Sequence, residues 1–162
     1  MATEEIRANL AVVSQQIEEL EQQYDRAAGS VRLLAVSKTK PVEAIQAAYD
    51  VGQRAFGENY VQEAVEKRHA LAHLDDIEWH FIGPIQSNKS RLIAESMDWV
   101  HSIDREKIVR RLSEQRPDSM PPLNVCIQIN ISGEESKAGG SLSELDDMVA
   151  LVFSLPNIQL RG

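Results

Sequence analysis

Apolar residues recur at Ile6, Leu10, Val13, Ile17, Leu20 and Tyr24, in steps of four and three, and mark one stripe of a helix. The repeat runs for about three heptads, the lower limit for a coiled coil, and a helix lying on its own domain is the plainer reading. The spacing predicts a helix over 3–28, ended by Gly29. From residue 31 onward short apolar runs alternate with helical spacing. Val31–Val36, Arg54–Phe56, Ile77–Ile82, Trp99–Ile103, Leu123–Ile131 and Ile158–Arg161 read as six strands. Between them lie a helix opened by Pro41 and helices over 60–74, 87–97 and 105–115. A last helix starts at the capping box Ser141-Leu142-Ser143-Glu144, followed by Leu145, Met148, Val149 and Val152.

Strands separated by helices at a period of roughly 25 residues are βαβ units, which build a parallel α/β sheet. Residues 1–162 read as one domain. A doubly wound open sheet and a TIM-type (β/α) barrel both fit this order. A dinucleotide-binding open sheet places G-x-G-x-x-G after its first strand, whereas this chain has Ser37-Lys38-Thr39-Lys40-Pro41. Polar residues also close every strand: Lys38, then Glu58 and Asn59, then His80, then Ser102 and Asp104, then Asn130 and Ser132. Such a ring suits the active-site end of a barrel, and Asn59, Ser87, Asp104 and Ser141 suit helix N-caps as well. On the barrel reading the last two β/α units, roughly 60 residues, are missing from this chain. The first and sixth strands would then be bare edges, which favours a strand-exchanged oligomer.

A net charge of −8 argues against non-specific nucleic-acid binding. The single cysteine, Cys126, permits no intrachain disulfide and reads as a core residue; a reducing compartment fits. With no apolar leader and no apolar stretch long enough to span a bilayer, the chain reads as cytoplasmic and without a membrane partner. The four histidines lack metal-ligand spacing, so no metal site is expected.

Lys38 is the chemically informative residue. It shares strand parity with Leu34 and Val36, while Leu33, Ala35 and Ser37 point the other way. If the Lys38 set faces inward, its amine reaches the mouth from a packed stem. A free lysine amine, with a pKa of about 10.4, is a poor nucleophile at neutral pH. Partial burial favours the neutral amine, which can condense with an aldehyde. A solvated surface lysine is the plainer reading of spacing alone, and Lys40, Lys89 and Lys137 read that way too.

The motifs Leu34-Ala35-Val36-Ser37-Lys38-Thr39-Lys40-Pro41, Phe56-Gly57-Glu58-Asn59-Tyr60-Val61-Gln62-Glu63 and Trp79-His80-Phe81-Ile82-Gly83-Pro84-Ile85-Gln86-Ser87-Asn88-Lys89 resemble three successive motifs of the pyridoxal 5′-phosphate (PLP) homeostasis protein family, of the YggS/PROSC type. Val100–Asp104 and Ile127–Gly139 extend the resemblance in order along the chain. It implies a barrel of the alanine racemase N-terminal domain type, with PLP as cofactor held as a Schiff base on Lys38. It also implies Asn59 beside the cofactor and Ile82 and Ser102 lining the same mouth; the alternative for Asn59 is an N-cap partnered by Gln62. No catalytic residue is implied. The role is intracellular PLP homeostasis, with apo PLP-dependent enzymes as recipients and a monomer for a complete member. Ile85 and Gly140 depart from the usual pattern without touching the lysine. The phosphate site of such barrels usually follows strands seven and eight, so these residues alone are expected to bind PLP weakly. Alternatives are a racemase fragment, a Schiff-base lyase working without PLP, and a form that binds nothing.

Overall fold

The computed structural model describes residues 3–135 and 137–162. Helix α1 spans Thr3–Gln23. Strand β1 (Ala35–Val36) follows, then α2 (Val42–Asp50), β2 (Ala55–Glu58), α3 (Val61–Ala70) and β3 (Glu78–Phe81). A 3-10 turn at Ser87–Lys89 leads into α4 (Ser90–Ser96), then β4 (Trp99–Ile103), α5 (Glu106–Gln115) and β5 (Leu123–Ile127). A second such turn at Leu142–Glu144 leads into α6 (Leu145–Ser154) and β6 (Ile158–Leu160). The six strands form one parallel sheet in the order β1-β2-β3-β4-β5-β6, as the alternation predicts.

The register separates two faces. Phe56 lies beside Trp79, Phe81 beside Val100 and Val100 beside Val125, in rows buried under the helices. Ile45, Ala64, Ile93, Ile108, Leu112 and Met148 supply the helical side of this core. Val36, Gly57, His80, Trp99 and Asn124 form a row on the opposite face. That face carries no helix, and Val36 stays half exposed. Among the described residues the packed stem expected beneath Lys38 is therefore absent: β1 pairs only with β2, and β6 only with β5. Buried Arg116 donates to the carbonyls of Ala94, Met97 and Pro121, satisfying the end of α4.

Several boundaries differ from the sequence expectation. Helix α1 stops at Gln23 rather than 28, because Asp25 takes the left-handed conformation (φ 52°) that Gly29 was expected to supply. The amide of Arg26 then bonds Glu21 O and that of Asp25 bonds Gln22 O, a Schellman arrangement. Of the apolar stripe, Ile6 and Leu10 pack on the core, whereas Val13, Leu20 and Tyr24 remain exposed. Strand β1 is two residues long, pairing only Ala35 with Phe56 and Val36 with Gly57; by the same register residues 31–33 lie opposite the loop before β2. Strand β5 ends at Ile127, and Ile131 is 90% exposed. Helix α3 ends at Ala70, short of residue 74. The capping box at Ser141 and Glu144 forms as predicted. Among the described residues no helix is long and apolar enough to cross a membrane.

Candidate functional site

Hydrogen bonds carry the β1–β2–β3 ladder past the strand ends: Ser37 N bonds Gly57 O, and Ile82 N bonds Glu58 O. Two residues beyond the paired row Val36, Gly57 and His80 come Lys38, Asn59 and Ile82. Alternation gives these three the same parity as the open face. Lys38 itself is exposed and carries no hydrogen bond among the described residues, which corrects the expectation of a partly dry amine.

Asn59 is not a helix N-cap. That position belongs to Tyr60, and no side chain caps α3. The Asn59 Oδ1 is instead buried without a hydrogen-bond partner, an arrangement that native proteins seldom leave unexplained. Asp104 and Ser87 are not N-caps either; Arg105 and Gln86 precede those turns, without side-chain capping bonds. A Cβ built on Gly57 would lie 3.2 Å from Ile82 Cδ1 and 3.6 Å from Leu34 Cγ, so Ile82 and Leu34 converge over bare backbone. A Cβ on Gly83 would lie 2.2 Å from Asn59 O, so only glycine lets these two loops touch. Ser102 is buried and donates its Oγ proton to Gly83 O at 2.5 Å, tying the β4 end to the same loop.

Other members of the expected polar ring lie elsewhere. Glu58 has the parity of the packed face and turns toward α3, where its Oε1 accepts from Lys67 Nζ (2.8 Å) and Ser37 Oγ (2.5 Å). Sequence reasoning missed this buried cluster. Its signal was the pair Glu63 and Lys67, one helical turn apart, beside a carboxylate inside an apolar strand. His80 sits one row below the mouth, with its Nδ1 2.9 Å from His101 Nε2 and its ring stacked on Trp99. Burial, and then the neighbouring His101, pull the His80 pKa down to about 4; burial lowers that of His101 as well. The pair is therefore neutral at pH 7. Glu78 accepts from Trp99 Nε1 and pairs with Arg32 at the foot of this face.

Asn130 donates to the carbonyls of Glu134 and Lys137, folding the β5–α6 loop on itself, and Lys137 pairs with Glu134. This loop does not join the Lys38 row. Cys126 is half-buried rather than in the core, and burial raises its pKa, away from the reactive thiolate. No group of three or more His, Cys, Asp or Glu side chains among the described residues is placed to hold a metal ion.

The family described as "Alanine racemase, N-terminal domain" matches residues 5–162. A pyridoxal phosphate homeostasis protein of Vibrio alginolyticus is 58% identical over 160 residues, covering 97% of this chain and 69% of that protein. One from Escherichia coli K12 is 55% identical over 160 residues, covering 98% and 68% respectively. The solved structure of PipY of Synechococcus elongatus PCC7942 with PLP bound superposes with a TM-score of 0.77 at 36% identity, covering 93% of this chain and 68% of that one.

Proposed function

Because the chain belongs to the family of the pyridoxal phosphate homeostasis proteins, we propose that it holds PLP as a Schiff base on Lys38 and serves as a non-catalytic reservoir of the cofactor. Bound PLP supplies an aldehyde for reversible covalent attachment. The chain's residues do the rest. Lys38 offers the amine at the rim, and Asn59 offers a buried acceptor on the same side. Leu34 and Ile82 give an apolar floor against which a flat ring can lie, and Ser102 holds the Gly83 loop in place. The residues present fit the cofactor on one point above all: the orphaned Asn59 Oδ1 stands in the row of Lys38, two residues beyond the end of β1. That observation carries the proposal.

We read the six-strand sheet as the larger part of a single TIM-type (β/α) barrel domain, which the sequential strand order and the longer relatives support. The non-catalytic assignment is supported by the homeostasis role printed in the names of the relatives. Tyr60, the nearest candidate proton donor in sequence, is 58% exposed at the start of α3. Apo PLP-dependent enzymes are the proposed recipients, and the cytoplasm the proposed compartment.

The test is to add PLP to the chain, reduce with borohydride and map the modified lysine by mass spectrometry. The expected adduct is on Lys38, with no turnover of amino acids. An adduct elsewhere with Lys38 clean overturns the site, and racemisation of an amino acid that depends on Lys38 overturns the non-catalytic role.

A further inference from the structure

We propose that Lys67, Glu58 and Glu63 form a positioning device that fixes the backbone on both sides of Lys38; the inference rests on Lys38 being the PLP-binding residue. Lys67 projects from α3, its side chain 7% exposed, and donates all three of its protons. They go to Ser37 O (2.7 Å), Glu58 Oε1 (2.8 Å) and Glu63 Oε1 (2.6 Å). Glu63 Oε1 in turn accepts from Thr39 N at 2.6 Å. The carbonyl before Lys38 and the amide after it are thus both anchored to one helix, through side chains that hold one another.

This has a specific geometric consequence. The Ser37 carbonyl lies in the peptide plane preceding Lys38, and the Thr39 amide in the plane following it. Holding both planes fixes φ and ψ of Lys38, and with them the direction of its Cα–Cβ bond. Thr39 sits at φ 61°, a left-handed conformation that a β-branched residue adopts only when its surroundings enforce it. The Lys40 amide donates to Ser37 O at 3.0 Å and closes the turn that contains Thr39, and the Glu63 carboxylate holds the Thr39 amide within it. Glu58 anchors the assembly from below: it is wholly buried at the end of β2 and also takes the Ser37 hydroxyl proton. A buried ion pair of this kind is weak evidence for stability, since apolar residues of similar volume often serve as well. Its polar geometry is what an apolar replacement would not reproduce. Lys38 is left free at its tip and held at its root.

Condensation of the Lys38 amine with an aldehyde forms one C=N bond and releases one water, so no further reactant is needed. Its rate depends on how often the amine occupies the reactive position, which a held root increases. The experiment compares the parent chain with Glu63→Ala and Glu63→Gln. Amide hydrogen exchange is followed at Thr39, and PLP labelling with borohydride reduction at Lys38, with exposed Lys107 as internal reference. In Glu63→Ala the Thr39 amide is expected to exchange at least about tenfold faster, and Lys38 labelling to slow about tenfold relative to Lys107. Glu63→Gln keeps an oxygen acceptor and is expected to restore most of both. Parent-like Thr39 exchange, or parent-like Lys38 labelling once Thr39 is released, overturns the device while leaving the Lys38 assignment intact. If the parent itself labels Lys38 no faster than Lys107, the assignment fails and the device with it. Melting curves establish that each variant is folded. Because Glu63 is partly exposed, its replacement avoids the unpaired buried charge that a Lys67 variant would create.

Discussion

The two faces of this sheet are built from the same strands but by opposite rules. On the helix-covered face Phe56, Trp79, Phe81, Val100 and Val125 are at most 3% exposed and apolar throughout. The other face carries Asn124 and the group Glu78, His80, Trp99 and His101, the latter linked by hydrogen bonds and ring stacking, and it ends at the Lys38 row. Burial by helices leaves one face apolar apart from the Glu58–Lys67–Ser37 cluster at its end, whereas the other face carries the histidine pair and the Lys38 row. The largest expected effect breaks the comparison at its functional end. Lys38→Ala should abolish the stoichiometric PLP adduct, leaving only scattered labelling of other lysines. It should leave stability within about 0.5 kcal/mol, because the side chain is exposed. The converse holds for Phe81→Ala, which should cost about 3–5 kcal/mol in urea unfolding. PLP labelling of its remaining folded fraction should be near that of the parent. A large stability loss in the first variant, or a small one in the second, would dissolve the division of labour.

Acid titration sharpens the comparison from the polar face. The folded His80 has a pKa of about 4 against an ordinary 6.5, so between these values the unfolded chain binds a proton that the folded chain refuses. Stability contributed by the neutral pair is fully present above pH 6.5 and is lost as pH falls through the window toward 4. The carboxyls held low in the fold (Glu21 by the Val31 and Gly29 amides, Asp76 by Tyr49 and Glu144 by Ser141) add their loss below the ordinary carboxyl range. The melting temperature should therefore already drop between pH 7 and pH 5, and His80→Gln should flatten that drop. An unchanged slope would mean that the His80–His101 pair is not the titrating element.

The regions legible in the sequence were those whose structure is decided locally. The Ser141 capping box, β4 over Trp99–Ile103 and the alternation into six parallel strands follow from spacing alone. What was misread depends on partners distant in the chain. The length of β1 is set by its pairing with Phe56 and Gly57, and the end of α1 by the left-handed turn at Asp25 rather than by the next glycine. Parity gave Lys38 its direction, but not its exposure, which reflects the lack of any strand paired to the far side of β1. The Ser37–Glu58–Lys67 cluster joins residues up to 30 positions apart, and the local Glu63–Lys67 spacing shows only one side of it.

Asn59 is where sequence reasoning was evenly divided between a cap and a cofactor contact, and it yields the smallest and most discriminating effect. A capping side chain replaced by alanine costs about 1 kcal/mol. The structure gives the cap position to Tyr60 and leaves Asn59 Oδ1 buried without a partner. Asn59→Ala therefore removes no hydrogen bond to that oxygen and relieves its desolvation, so stability should stay level or rise by a few tenths of a kcal/mol. If the oxygen meets the cofactor, the same substitution should weaken PLP binding by about three- to tenfold, the worth of one neutral hydrogen bond. Absorbance titration with PLP and a urea melt of the same sample read the two quantities independently. Lower stability with unchanged PLP affinity would return Asn59 to a structural role and shrink the site to Lys38 and its apolar floor.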